Sequence, residues 1–181
     1  MIWMLTIKLL PHWKAENEWT CELEIDSSTT LSRLHLAIQK IVGFDNDHLY
    51  EFYIAKSERS RTGRVRFLPD PEDDEYFDML YEEFGIEVDK SLRPAEFSVE
   101  KTSLSQVFPL PERMKLFYWF DYGDDWRFQI SKKRKEEKRI PKTKYPRIVK
   151  EEGIKPIQYD DADPFDMISE AIKMTNKKGT T

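Results

Sequence analysis

One stretch of fifteen residues restricts the fold more than any other: Leu116-Phe117-Tyr118-Trp119-Phe120-Asp121-Tyr122-Gly123-Asp124-Asp125-Trp126-Arg127-Phe128-Gln129-Ile130, in which seven side chains are aromatic. Before Asp121, apolar side chains fall on both parities. That pattern predicts a central strand covered on both faces. After the turn, Trp126, Phe128 and Ile130 alternate with Arg127 and Gln129, so the return strand buries one face. Gly123 is expected to supply the positive φ of a tight hairpin.

The rest of the chain reads as partners for that hairpin. Trp3, Leu5, Ile7 and Leu9 alternate with polar or smaller residues, as do Trp19, Cys21, Leu23 and Ile25, giving two half-buried strands. Ser27-Ser28-Thr29-Thr30 offers cap hydroxyls to a helix with Leu31, Leu34, Ile38 and Ile41 at helical spacing, ended by Gly43. Two further strands follow, one around His48, Tyr50, Phe52 and Ile54 and one around Val65 and Phe67. The order β-β-α-β predicts an α+β single domain with a β-grasp-like first half, a helix lying across one sheet face. An acidic helix is expected from Asp70 and Pro71, with Phe77, Leu80, Tyr81 and Phe84 on its stripe, before the aromatic hairpin. A short helix is read at about Ser103 to Val107. Residues 1–160 form the domain, and 161–181 supply a last helix from Asp163-Pro164 and a polar tail packed on it.

Composition narrows the function. The 181 residues carry a net charge of −5, and 24 are aromatic (11 Phe, 8 Tyr, 5 Trp). A fold of this size buries roughly 70% of its unfolded surface. The single cysteine, Cys21, excludes an internal disulfide framework and a Cys-rich zinc module, and fits a reducing compartment. No apolar stretch reaches the ~20 residues of a membrane-spanning helix, and the cytoplasm is the expected location. With six Gly and no Gly-rich phosphate loop, a nucleotide-binding α/β enzyme is disfavoured. The charge is polarised: Asp70 to Asp89 holds ten acidic residues and no basic one, whereas Ser131 to Lys155 holds eleven Lys and Arg against four Glu, a local charge of +7.

Three groups of residues are candidates for function. Lys132, Lys133, Arg134, Lys135, Lys138 and Arg139, with Trp126 nearby, combine cations with aromatic surface, the ingredients of nucleic-acid binding. No RNP1 pattern accompanies them, and the same block also reads as a hairpin extension or as a mobile loop that docks an acidic protein or this protein's own acidic helix. Asp121, Asp124 and Asp125 crowd one turn, where they either cap backbone N–H groups or hold a hard cation such as Mg²⁺ with help from nearby His. His35, on the helix stripe, and His48, at a strand start, could approach one another. No nucleophile elbow or Cys/His pair is present, and no cofactor is indicated.

The ordered set Leu31, Leu34-His35, Ile38-Gln39, Gly43-Phe44, His48-Leu49-Tyr50-Glu51-Phe52 and Phe120-Asp121-Tyr122-Gly123-Asp124-Asp125-Trp126 resembles the plasmid pRiA4b ORF-3-like family over most of the chain. Residues His35, Gln39, His48, Tyr50, Phe52, Asp121, Gly123, Asp124 and Trp126 carry the resemblance. It implies a fold and a genomic setting, on plasmids and as a passenger of insertion elements, but no reaction. Phe44 stands where members usually carry Trp, and Phe128 where many carry His. Tyr145-Pro146-Arg147 runs on without the Cys-rich stretch common in relatives. The expected function is a non-catalytic binding or adaptor module, contacting nucleic acid or an acidic protein through residues 131–155. The alternative is a metal-dependent activity at the Asp turn.

Overall fold

The computed structural model describes residues 1–14, 18–69 and 96–159. The acidic helix read from Asp70 and the last helix read from Asp163 lie outside the described residues.

Eight strands form one sheet. In chain order they are β1 (Ile2–Leu9), β2 (Trp19–Asp26), β3 (Tyr50–Ala55), β4 (Val65–Leu68), β5 (Glu96–Ser98), β6 (Lys115–Phe120), β7 (Trp126–Glu137) and β8 (Arg147–Gly153). Among the described residues the helices are α1 (Leu31–Val42) and α2 (Leu104–Val107), and the fold is α+β. The strand order is β5-β4-β3-β6-β7-β1-β2-β8. Among the described strands only β4 and β5 pair in parallel. The β-grasp-like first half does not stand out as a unit: β6 and β7 lie between β1 and β3, and β7 runs antiparallel to β1. The late aromatic hairpin is therefore the middle of the sheet rather than an addition to it.

Helix α1 forms where the caps and the apolar stripe agree. The Thr30 side chain accepts from the Arg33 N–H, and Gly43, at φ 82°, returns its N–H to the Gln39 carbonyl. The helix buries Leu31, Leu34, Ile38 and Ile41, with His35 and Gln39, in the main core. Leu5, Ile7, Leu23, Phe52, Tyr118 and Phe128 belong to the same cluster.

Strand β6 is central, between β3 and β7, and both its faces are covered as expected. Leu116, Tyr118 and Phe120 enter the main core, while Phe117 joins Tyr53, Ala55, Leu10 and Trp119 in a smaller cluster on the opposite face. No second layer of secondary structure covers that smaller cluster among the described residues. Guanidinium planes do so instead: Arg64 lies 3.9 Å over Tyr53 and Arg127 4.0 Å over Trp119. Fully buried Glu51 holds the same region together by accepting from Arg64 at 3.1 Å and Arg66 at 2.6 Å.

The turn between β6 and β7 differs from the expectation. Asp121 (φ 52°) and Asp125 (φ 63°) take the left-handed conformation, and Gly123 does not. Aspartate tolerates this region because its side chain bonds the local backbone. Here Asp121 Oδ1 accepts from the N–H groups of Gly123 (3.0 Å) and Asp124 (3.1 Å).

The basic segment is indeed an extension of the hairpin. Beyond its pairing with β6, β7 continues along β1 to Glu137↔Ile2, with a register shift between Trp3 and Leu5. The chain then crosses to the outer side of β2 as β8, whose own pairing is irregular between Glu22 and Leu23. Opposite charges line this crossing. Lys133 meets Glu22 at 2.6 Å, Arg139 meets Asp26 at 3.1 Å and Arg147 meets Glu24 at 2.6 Å. The acidic partner of the basic block, among the described residues, is thus strand β2.

At the end of β8, Gly153 has φ 88°, and a Cβ there would stand 1.8 Å from the Glu18 carbonyl oxygen. At Gly123 the nearest atom to a Cβ would be Asp121 Oδ1 at 3.3 Å. Gly153→Ala is therefore expected to cost about 1–3 kcal/mol for the backbone conformation alone, before the clash. Gly123→Ala should cost less. Parallel urea melts check this, and equal midpoints for the two variants would contradict the turn geometry described above.

Candidate functional site

The residues that carry the family resemblance divide between two neighbouring clusters. The first surrounds one buried hydroxyl. Tyr118, at the middle of β6, lies 2.7 Å from His35 Nδ1 and accepts from Gln39 Nε2 at 2.8 Å. With Gln39 donating to that oxygen, the phenol O–H can donate to His35 Nδ1 when the imidazole proton is on Nε2. Tyr50 stacks flat on His35, with centroids 3.5 Å apart and planes 2° from parallel, and Phe52 packs on Tyr118 at 4.8 Å. Burial pushes the His35 pKa down to about 4. Burial also raises the Tyr118 hydroxyl well above its ordinary value. Gln39 Oε1 is buried without a partner among the described residues. This is a polar knot inside the core, neutral near pH 7.

The second cluster is the Asp turn. Each of its carboxylates is turned to a different task. Asp121 caps the turn with Oδ1, while its Oδ2 lies 3.4 Å from His48 Nε2. Asp124 pairs with Lys14. Asp125 accepts from Arg127 at 2.6 Å, with Arg59 at 3.7 Å. No three His, Cys, Asp or Glu side chains converge as a metal site among the described residues. His48 reaches its own partners instead: Tyr159 hydroxyl at 3.2 Å and Asp47 at 3.6 Å. The hydrogen bond from Tyr159 holds Asp47 below its usual range, and the same bond pushes the phenol up to about 12. Gln158 ties the same loop by accepting from the Asp45 N–H at 2.7 Å. His35 and His48 both flank Phe120, at 6.4 and 6.0 Å, and each is committed to separate partners.

Trp126, expected as a stacking surface, is fully buried. His12 lies parallel to it at 3.8 Å and Phe44 packs on it at 5.0 Å, so no nucleotide base can reach its face. His12 in turn donates from Nε2 to the Asp124 carbonyl at 2.5 Å, fixing the turn from the β1 side. Cys21 is buried, and desolvation pushes its thiol up to about 11, which removes it as a nucleophile.

An open concave surface lies at the end of the sheet away from the Asp turn. A groove of about 510 Å³ runs between the Phe108–Lys115 segment and the far half of β7. Trp3, Phe108, Leu110, Met114 and Ile130 give it apolar walls, and Lys115, Lys132, Lys133 and Arg134 form a basic rim. Lys132 is pinned, 2.7 Å from Glu136 and 4.4 Å over the Trp3 ring, and Lys133 is held by Glu22. Lys115 and Arg134 are exposed and form no ion pair among the described residues. Three of the four groove cations come from the basic residues singled out in the sequence. The apolar wall was not singled out, because residues 108–114 carry no apolar periodicity.

The His35 pKa gives a pH dependence. Its folded value, about 4, lies below the unfolded value near 6.5, so between these the unfolded chain binds more protons and stability rises with pH. As pH falls from 6.5 to 4, wild type should lose stability of order 3 kcal/mol through this residue. In His35→Gln that part of the slope should vanish, leaving a flatter profile in urea titrations. An unchanged slope would show that His35 is not desolvated.

No helix of the described residues is long and apolar enough to cross a membrane. No curated protein matches the chain. Among solved structures, the protein of unknown function MM3350 from Methanosarcina mazei Go1 matches with a TM-score of 0.58 and 18% identity. That match covers 95% of this chain and 81% of the other, and at such identity it speaks for the fold. The family model described as plasmid pRiA4b ORF-3-like protein matches residues 5–178, the same span over which the His35 and Asp121 motifs fall into place. The chain belongs to the plasmid pRiA4b ORF-3-like family.

Proposed function

We propose that this protein is a non-catalytic binding module that holds an anionic partner in the groove beside its basic segment, with an acidic polypeptide favoured over a nucleic acid. The observation that carries this reading is the juxtaposition of apolar walls with two cations, Lys115 and Arg134, that no described carboxylate neutralises. Apolar walls and a few well-placed charges are the usual make-up of a ligand site, and its volume falls in the usual range. Nucleic acid is the weaker candidate for two reasons. Stacking needs open aromatic faces, yet Trp126 is buried and Trp3 is 7% exposed under Lys132. Phosphate binding needs free cations, and Lys133, Arg139 and Arg147 already face Glu22, Asp26 and Glu24. Catalysis finds no support in the titrating groups, since His35 is neutral in the core and the Asp turn is saturated by its own contacts.

Fluorescence anisotropy with a labelled peptide of alternating Glu and Val, double-stranded DNA, single-stranded DNA and RNA, across a salt series, tests this reading. The peptide should saturate, and Lys115→Glu/Arg134→Glu should weaken it about tenfold or more, a loss of about 1.4 kcal/mol. Nucleic acids should bind more weakly. Peptide binding that the double variant leaves intact, or no binding at low salt, would overturn the proposal.

A further inference from the structure

The groove borders an unpaired strand edge. β7 has twelve residues, but its pairing with β6 ends at Leu116↔Ile130. Beyond that point residues 131–137 stay extended; among the described residues Ser131, Lys132, Glu136 and Glu137 pair with β1, and 133–135 bulge from that ladder. On the other side, where β6 would have to continue, the chain approaches as Pro109-Leu110-Pro111. Two prolines without N–H groups cannot build a ladder there. The Met114 N–H is spent on the Pro111 carbonyl at 3.0 Å, and no backbone hydrogen bond joins 108–114 to 131–137 among the described residues. The walls of the groove are thus this Pro-containing segment and the open edge of β7.

We infer that the groove is a strand-addition site: an extended acidic polypeptide of a partner protein lies along residues 131–137 of β7, in the lane that β6 leaves vacant. This rests on the binding reading above and gives it a mode. An added strand would bond backbone groups of β7 that β6 does not reach, which is where such complexes gain affinity, while alternate side chains give selectivity. One face of the added strand would meet Phe108, Leu110 and Met114, which favours apolar residues at every second position. Charge selects the class of occupant. The groove cations with no ion pair among the described residues, Arg134 on this edge and Lys115 opposite, repel a second copy of the edge and attract carboxylates. Lysines on an open edge are a common guard against indiscriminate pairing, and an acidic strand is the one kind they admit.

The test uses the full chain and three versions of a seven-residue alternating Glu/Val peptide: unmodified, N-methylated at odd residues, and N-methylated at even residues. Only alternate N–H groups of an added strand face its neighbour, so one methylated version should lose tenfold or more and the other should bind like the parent. Amide exchange of residues 131–137 should slow when the parent binds. If the parent binds and both methylated peptides match it, or both lose alike, strand addition is overturned while the binding module stands. If the parent does not bind at all, both proposals fall. A Leu110→Trp variant that folds with an unchanged melting temperature and still binds the parent as tightly would likewise overturn the groove as the site.

Discussion

The double burial of β6 is the constraint on which the rest of the structure depends. A strand with bulky side chains on both faces must be central, and something must cover each side. On the helix side, cover brings a cost, because the Tyr118 hydroxyl is carried into the core with its ring. An unsatisfied buried hydroxyl is expensive, so α1 presents His35 and Gln39 one turn apart to meet it. On the other side, the Tyr53 and Trp119 rings are covered by Arg64 and Arg127, whose stems and planes shield that face among the described residues. These guanidiniums are held in turn by Glu51, Asp125 and the Glu58 carbonyl. The aromatic strand thus dictates both the polar content of the helix and the charge pattern of the opposite face.

Charge does similar work at the other end of the sheet. The acids of β2 alternate with its core residues, so Glu22, Glu24 and Asp26 share one face. The basic β7 extension and β8 flank that face on either side and supply its counter-ions. Exposed pairs of this kind contribute little each, but they set register and direction for strands with few apolar residues. What is left after this internal neutralisation is a small excess of cation around the groove.

Much of this was legible in the sequence, for a physical reason that also marks where it stopped. β1 to β4, α1 with its caps, α2 and the aromatic hairpin all announce themselves by apolar periodicity. β8 has no such signal: all seven of its residues are exposed, and it forms because β2 offers it an edge and opposite charge. Gly123 was the natural choice for the left-handed turn position, yet Asp121 and Asp125 took it, because the Asp121 carboxylate satisfies the turn's N–H groups. Strand order escaped the sequence as well, since nothing local in β1 says that β7 rather than β3 will lie beside it. Of the candidate residues, the family set proved to be a core network and a turn. The basic set reached a concave surface, whose apolar half came from Phe108 to Met114, a segment without periodicity.

The position of β1 also bears on how the molecule is made. It sits between β2, its hairpin partner, and β7, with Leu5 opposite Lys132 across more than a hundred residues of chain. During synthesis the β1-β2 hairpin is therefore complete long before its second neighbour exists, and Trp3, Leu5, Ile7 and Leu9 must wait for Phe128 and Ile130. Pairings this distant in sequence slow folding and prolong the exposure of an apolar edge. The interval between the emergence of β2 and that of β7 is the stage at which this protein is most exposed to aggregation and most dependent on whatever shields nascent chains.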